Sequence, residues 1–155
     1  EIGSGLVGSE MCIRDRDVHG RRDNHVRGRV RDHERVHEYE DDCGHVVLAD
    51  LREENAAQAA EVLENTGFKT STIAVDISSR ESILALIDHA KQFGEIKYLI
   101  NAAGVSPSQA SVETILKVDL YGTAVLLEEF GKVIANGGSG IIISSQSSHR
   151  LGALP

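Results

Sequence analysis

The chain has 155 residues, 41% of them apolar and 26% charged, the make-up of one ordinary globular domain. Its net charge of −8 argues against a nucleic-acid partner, whose phosphates require a basic face. Two distant cysteines, Cys12 and Cys43, make neither a disulfide framework nor a metal cluster, so a reducing cytoplasm is expected; no apolar run approaches the ~18 residues of a membrane span, and the N-terminus lacks a signal-peptide layout.

The first part of the chain is unlike the rest. Gly3-Ser4-Gly5-Leu6-Val7-Gly8 has the GxGxxG spacing of a dinucleotide fingerprint, but no strand precedes it, and Asp50 lies about twice too far away for the usual spacing to the acidic residue. Gly5 to Arg16 resembles translated sequencing-adaptor read-through. Residues 14–42 are mostly Arg, Asp, Glu and His, with no Leu, Ile, Ala, Met or Phe, so they cannot bury enough apolar surface to offset their ordering entropy. Arg27-Gly28, Arg29-Val30 and Arg31-Asp32 admit a shifted reading frame that spells Ser-Gly-Ala-Gly-Ser-Gly-Ile, a glycine-rich phosphate loop at a suitable distance from Asp50. Residues 1–42 are therefore expected to be disordered or artefactual, with a frameshift ending near Cys43, and residues 43–155 to form the folded unit.

From Gly44 on, strands and helices alternate. His45 to Ala49 is a β-branched run, read as a buried strand. Glu53 to Thr66 is Ala- and Glu-rich with Ala56, Ala59, Ala60 and Leu63 on one face, a helix that Gly67 stops. Thr70 to Val75 is the second strand. Ser78 and Glu81 have capping-box spacing before a helix carrying Ile83, Leu84, Ile87 and Ala90, which Gly94 ends. Tyr98 to Ile100 is a third strand, Ser111 to Ala135 one long amphipathic helix closed by Asn136-Gly137-Gly138, and Ile141 to Ile143 a fourth strand. Such alternation predicts an α/β fold, a Rossmann-type doubly wound parallel sheet with helices on both faces, incomplete in this chain. In that architecture the ligand lies beyond the carboxyl ends of the strands.

The polar residues at those ends are the candidate site. Asp50 can accept both ribose hydroxyls of an adenosine and would repel a 2′-phosphate, or it is a helix-start acid; Leu51 and Arg52 follow it, with Arg52 stacking over adenine or facing solvent. Asp76 and Ile77 could meet the adenine amino group and ring, or Asp76 is a turn residue. Asn101, Ala102, Ala103 and Gly104 follow the third strand, where small residues allow close backbone approach. Ser144-Ser145-Gln146-Ser147-Ser148 follows the fourth, where a hydroxyl can bond a substrate carbonyl or alcohol.

Taken in order, these strand ends resemble the short-chain dehydrogenase/reductase family over about residues 43–155. The most specific pieces are Leu99 to Gly104, which looks like the family's NNAG segment, and Gly140 to Ser145, which looks like its strand ending in the catalytic serine. The resemblance implies that Ser145 orients the substrate oxygen, with Ser144 and Ser147 as fallbacks, and that Asp119 stands where the family has an Asn shaping the proton relay. It also implies a tyrosine about a dozen residues past Ser145 and a lysine one turn further on, beyond Pro155, so the chain by itself is expected to be inactive. A compact stretch between Gly104 and Asp119 resembles members of the 3α-hydroxysteroid dehydrogenase/carbonyl reductase type. The implied activity is hydride transfer between NAD and a small-molecule secondary alcohol or ketone, with NAD rather than NADP following from Asp50. The implied assembly is a homo-oligomer, dimer or tetramer, packed through the long helix, although Val125 and Phe130 on it fit a core equally well. A non-catalytic nucleotide-binding regulator, a methyltransferase and a fragment without function are the competing readings; Asn101–Gly104 and the serine run argue against the methyltransferase.

Overall fold

The computed structural model describes residues 9–14 and 44–145. Ten elements follow in chain order: β1 (Ser9–Arg14), β2 (His45–Asp50), α1 (Glu53–Glu64), β3 (Thr70–Ala74), α2 (Arg80–Lys91), β4 (Glu95–Asn101), α3 (Val112–Ile115), a π-helical segment (Leu116–Gly122), α4 (Thr123–Gly131) and β5 (Ser139–Ile142). The strands form one sheet in the order β3-β2-β1-β4-β5. β2 pairs parallel with β3, and β4 parallel with β5. The expected α/β class and layered sheet are therefore present, with four strands running one way.

β2 shows how the two faces are filled. Val46 and Leu48 point to one side and pack with Ala56 and Ala60 of α1. Val47 and Ala49 point to the other, into a larger core with Ile83, Leu86, Ile87 and Ala90 of α2 and Val125, Leu126 and Phe130 of α4. Period-2 alternation on a strand flanked by helices makes both sets apolar, hence the unbroken hydrophobic run in the sequence. The expectation that Val125 and Phe130 are either surface or core resolves to core, at 3% and 1% exposure.

The fifth strand is the departure. β1 lies between β2 and β4 and is antiparallel to both, with Ser9 opposite Ala49 and Asn101, and Arg14 opposite Glu95. It comes from the segment expected to lack order. Its backbone supplies partners to the inner edges of β2 and β4, whose N–H and C=O groups would otherwise be unpaired inside a sheet. The Gly3–Gly8 motif and the remainder of residues 1–42, including the Arg27–Asp32 stretch, lie outside the described residues.

Local signals at the helix ends are mostly where the sequence puts them. Gly67 takes φ 98° and its N–H reaches the Glu64 carbonyl at 2.9 Å, closing α1. The cap of α2 is shifted by one residue: Ser79, not Ser78, caps it by accepting from Ser82 N at 3.3 Å, while Ser79 Oγ itself donates to Glu81 at 2.9 Å. Ser78 instead turns to Asp76, which takes its amide at 2.9 Å and its hydroxyl at 2.7 Å. The long helix expected over Ser111 to Ala135 is also not continuous. Ser111, where the helix was expected to start, is its N-cap, but Leu116–Gly122 widens to a π-helix before α4 resumes and ends at Gly131. Single π segments inside α-helices collect at functional positions. Here the wide turn carries Asp119 and Gly122, both of which make contacts that an uninterrupted amphipathic pattern does not foretell.

Candidate functional site

The carboxyl ends of β2, β3, β4 and β5 share one rim. Asp50 closes β2 and is in register with Ala74 of β3; Asn101 closes β4 and is in register with Ile142 of β5. The rim continues past the strands, since Val75 N donates to the Asp50 carbonyl and Ile143 N to the Asn101 carbonyl, each at 2.8 Å. Asp76, Ile77, Ser144 and Ser145 therefore leave the sheet on the same side as Asp50 and Asn101.

A cavity of about 230 Å3 opens on this rim. Asp50, Leu51, Arg52, Asp76, Ile77, Ala103 and Gly104 all line it, so seven of the residues singled out from the sequence converge. Asn55, Val75, Val105, Gln109 and Val118 complete the wall and were not singled out. Asn55 was within reach of sequence reasoning, because it lies on the first turn of the helix that Asp50 introduces. Val118 was not, because its position depends on the π-helical turn.

Each carboxylate at the cavity is held by local hydrogen bonds. Asp50 Oδ1 accepts the Arg52 amide at 2.9 Å and the Asn55 side-chain amide at 3.0 Å. This Asx turn leads into α1 and ties its first turn to β2 through the Asn55 side chain, while the N-cap residue Arg52 makes no side-chain cap. The helix-start and ligand readings of Asp50 are thus compatible: Oδ1 serves the helix, and Oδ2 accepts no hydrogen bond from the described residues. Asp76 is likewise a turn residue, fixed through Oδ1 by Ser78, and its own N–H donates to Ser82 Oγ at 3.0 Å. Ile77 is buried at 7% exposure and presents an apolar wall. Arg52 is the one cation among the lining residues.

The third strand end is built differently. Asn101 is 1% exposed, and its Oδ1 accepts the Ala103 amide at 3.2 Å while its Nδ2 donates to Thr123 Oγ1 at 3.4 Å. It does not line the cavity; it shapes the Ala102–Gly104 turn and ties it to α4. Asp119 Oδ1 accepts the Val105 amide at 2.9 Å, and a Cβ on Gly104 would come within 3.3 Å of the same oxygen. The carboxylate therefore grips the turn. Gly122 completes the docking: a Cβ there would lie 2.6 Å from the Ile77 carbonyl oxygen, a distance only glycine permits. The π-helical segment thus presses on two walls of the cavity at once. Ser145 is exposed beyond β5 and is not among the lining residues, as Ser144 also is not; Ser147 lies outside the described residues.

The chain matches known proteins in sequence and in fold. Residues 36–153 match the family model described as enoyl-(acyl carrier protein) reductase. A short-chain dehydrogenase/reductase of Alternaria brassicicola is 34% identical over 106 residues, covering 68% of this chain and 39% of its own length. Carbonyl reductase [NADPH] 1 of Mus musculus is 30% identical over 115 residues, 69% of this chain and 42% of its own. Among solved structures, a short-chain dehydrogenase/reductase from Brucella melitensis superposes with a TM-score of 0.61 at 22% identity, covering 72% of this chain and 50% of that one, a likeness of fold. Another, from Burkholderia phymatum in complex with NAD, gives 0.52 at 26% identity, covering 62% of this chain and 37% of that one. The chain belongs to the short-chain dehydrogenase/reductase family of oxidoreductases. It spans about two fifths of the length of the curated relatives it matches.

Proposed function

We propose that residues 43–155, joined by β1, form the adenosine-binding half of an oxidoreductase that moves a hydride between NAD and a small secondary alcohol or ketone. The observation that carries this reading is the cavity shared by Asp50, Asp76, Ile77 and Gly104 at the carboxyl rim of the sheet. The open Oδ2 of Asp50 is suited to accept from a ribose diol, Ile77 to cover one face of an adenine, and Gly104 to allow close approach of the ligand. A 2′-phosphate would meet the charge of Asp50 with only Arg52 to offset it, which favours NAD over NADP. The Burkholderia phymatum protein is in complex with NAD, while the mouse carbonyl reductase carries NADPH in its name, so the relatives supply both precedents.

In the complete reaction the nicotinamide supplies or takes the hydride, and the chain's residues bind and orient. Ser145 would donate to the substrate oxygen from its place past β5. Asp119 enters as a positioning residue, since its carboxylate is engaged by the Val105 amide. The 155 residues alone are proposed to turn over no substrate, because the resemblance puts the tyrosine and lysine of the proton relay past Pro155. Val112, Leu116 and Leu120, at 73%, 52% and 65% exposure and four residues apart on one helical face, favour a homo-oligomer, dimer or tetramer. A cytoplasmic setting fits the two unclustered cysteines of the sequence, and no helix among the described residues is long and apolar enough to cross a membrane.

Titration of the chain with adenosine and with adenosine 2′-phosphate, followed by amide chemical shifts, tests the reading. Adenosine should perturb Asp50, Asp76 and Gly104, and the 2′-phosphate should bind about tenfold more weakly, the scale of one unfavourable charged contact. Stronger binding of the 2′-phosphate overturns the preference for NAD. Adenosine that leaves these three residues unperturbed leaves the non-catalytic or structural alternatives in its place.

A further inference from the structure

Glu53, Glu54 and Asn55 open the first turn of α1. The two acids suit the positive end of a helix, and neither can donate a hydrogen bond when ionised. The side-chain amide of Asn55 can, and it is directed at a carboxylate. Its Nδ2 reaches Asp50 Oδ1 at 3.0 Å, beside the Arg52 backbone amide at 2.9 Å. An ionised carboxylate only accepts, so the bond also sets which end of the Asn55 amide faces Asp50.

This donor is firmly mounted. Asn55 N donates to the Arg52 carbonyl at 3.0 Å, and the next residue, Ala56, is 2% exposed and packs with Val46 and Leu48 of β2. Asp50 closes that same strand. One apolar layer therefore fixes the distance between the element that carries the carboxylate and the element that carries the amide. Rotation of a carboxylate about its Cβ–Cγ bond is otherwise soft, with broad wells. Two donors converging on Oδ1 settle which oxygen turns to the helix, and so give Oδ2 a defined direction. Asp50 and Asn55 both line the rim cavity. The amide is also uncharged, so it orients Asp50 without cancelling the negative charge that disfavours a 2′-phosphate.

We infer that Asn55 is a positioning residue for ribose recognition: its amide holds Asp50 so that the second carboxylate oxygen meets the ribose diol of an adenine nucleotide. The inference rests on the adenosine reading of the cavity. An asparagine that served only the start of α1 would influence stability and leave the choice between ligands unchanged.

Adenosine and 2′,3′-dideoxyadenosine, which lacks the diol, are to be titrated into the 155-residue chain and into its Asn55→Ala and Asn55→Leu variants. Amide chemical shifts report binding, and the urea midpoint reports folding. Both substitutions place a good helix former in the first turn, so α1 is retained. The parent should prefer adenosine by about tenfold, the scale of a hydrogen bond to a charged group. Each variant should prefer it by about threefold or less, and bind the dideoxynucleoside within about twofold of the parent. Variants that keep the parent's preference, or that lose affinity for both nucleosides by the same factor, would overturn the inference and leave Asp50 as the ribose ligand. A parent chain that does not distinguish the two nucleosides would instead remove the ribose role of Asp50, and this inference with it.

Discussion

The two ends of the rim hold their polar groups by different means. At the β2–β3 end, Asp50 is held by residues two and five positions on, and Asp76 by a residue two positions on. At the β4 end, Asn101 also has a local bond to Ala103, but adds a partner 22 positions away, and Asp119 is held by one 14 positions away. Short-range bonds fix a turn and engage only one carboxylate oxygen of Asp50 among the described residues. Long-range bonds consume the side chain in joining β4, its turn and the helix that follows. On the proposed adenosine reading, the first end binds and the second holds the cavity's walls in place.

The most disruptive test strikes the contact on which both ends depend. Gly122→Val would drive a Cβ toward the Ile77 carbonyl, 2.6 Å away, and toward Ile77 Cγ1, 3.0 Å away. Overpacking of this kind costs about 1–3 kcal/mol, so the urea midpoint should fall clearly below that of the parent chain. Adenosine binding should weaken with it, because Ile77 is a cavity wall. A variant with unaltered stability would show that the π-helical segment does not press on the rim, and the division drawn between the two ends would lose its mechanical basis.

Asn101→Ala separates the ends. The side chain is buried, and its removal leaves the Ala103 amide without its acceptor and Thr123 without its donor. The expected loss is about 1–3 kcal/mol of stability. Adenosine affinity should stay within about threefold of the parent under conditions where the variant is folded, a change worth well under 1 kcal/mol. A loss of affinity comparable to the loss of stability would mean that Asn101 acts directly at the ligand rather than through the turn.

The same contrast explains what the sequence could and could not convey. The strands at 45–49, 70–75, 98–100 and 141–143 were legible because a buried parallel strand is an apolar run between turn residues, and they appear as His45–Asp50, Thr70–Ala74, Glu95–Asn101 and Ser139–Ile142. Asp50, Asp76 and Gly104 were legible as neighbours on one rim, where they line the same cavity, because strand ends locate them without tertiary knowledge. The π-helical segment was not, since Leu116, Val118 and Leu120 fit a helix equally well, and only contact with Val105 and Ile77 distinguishes the wide turn. Ser78 and Ser79 were interchangeable as caps until Asp76 claimed Ser78. β1 was hidden for another reason: nothing in Ser9–Arg14 announces a strand, and its place follows from two facing sheet edges that need a partner.

A long-range partner does not by itself make a bond costly to lose, and the α2–α4 surface sharpens the comparison on that point. Arg80 bonds Glu128 at 2.8 Å and also pairs with Glu129, while Lys132 reaches both acids. The Arg80 guanidinium, then Lys132, holds the Glu128 carboxyl down at about 2 from its ordinary 4.5. A carboxyl whose folded-state pKa is depressed contributes stability above its unfolded value and loses it as pH falls through the folded one. The contribution of Glu128 should therefore be complete above about pH 4.5 and fade between there and about pH 2. Its side chain is half exposed, so solvent and salt screen the pair, and the effect should be the smallest of the three. Urea unfolding of the parent and of Glu128→Gln at pH 7 and pH 3 measures it: the gap between the two chains should be slight at pH 7 and narrower at pH 3. A gap that widens on acidification would reverse the sign and show that Glu128 is held by something other than its cations.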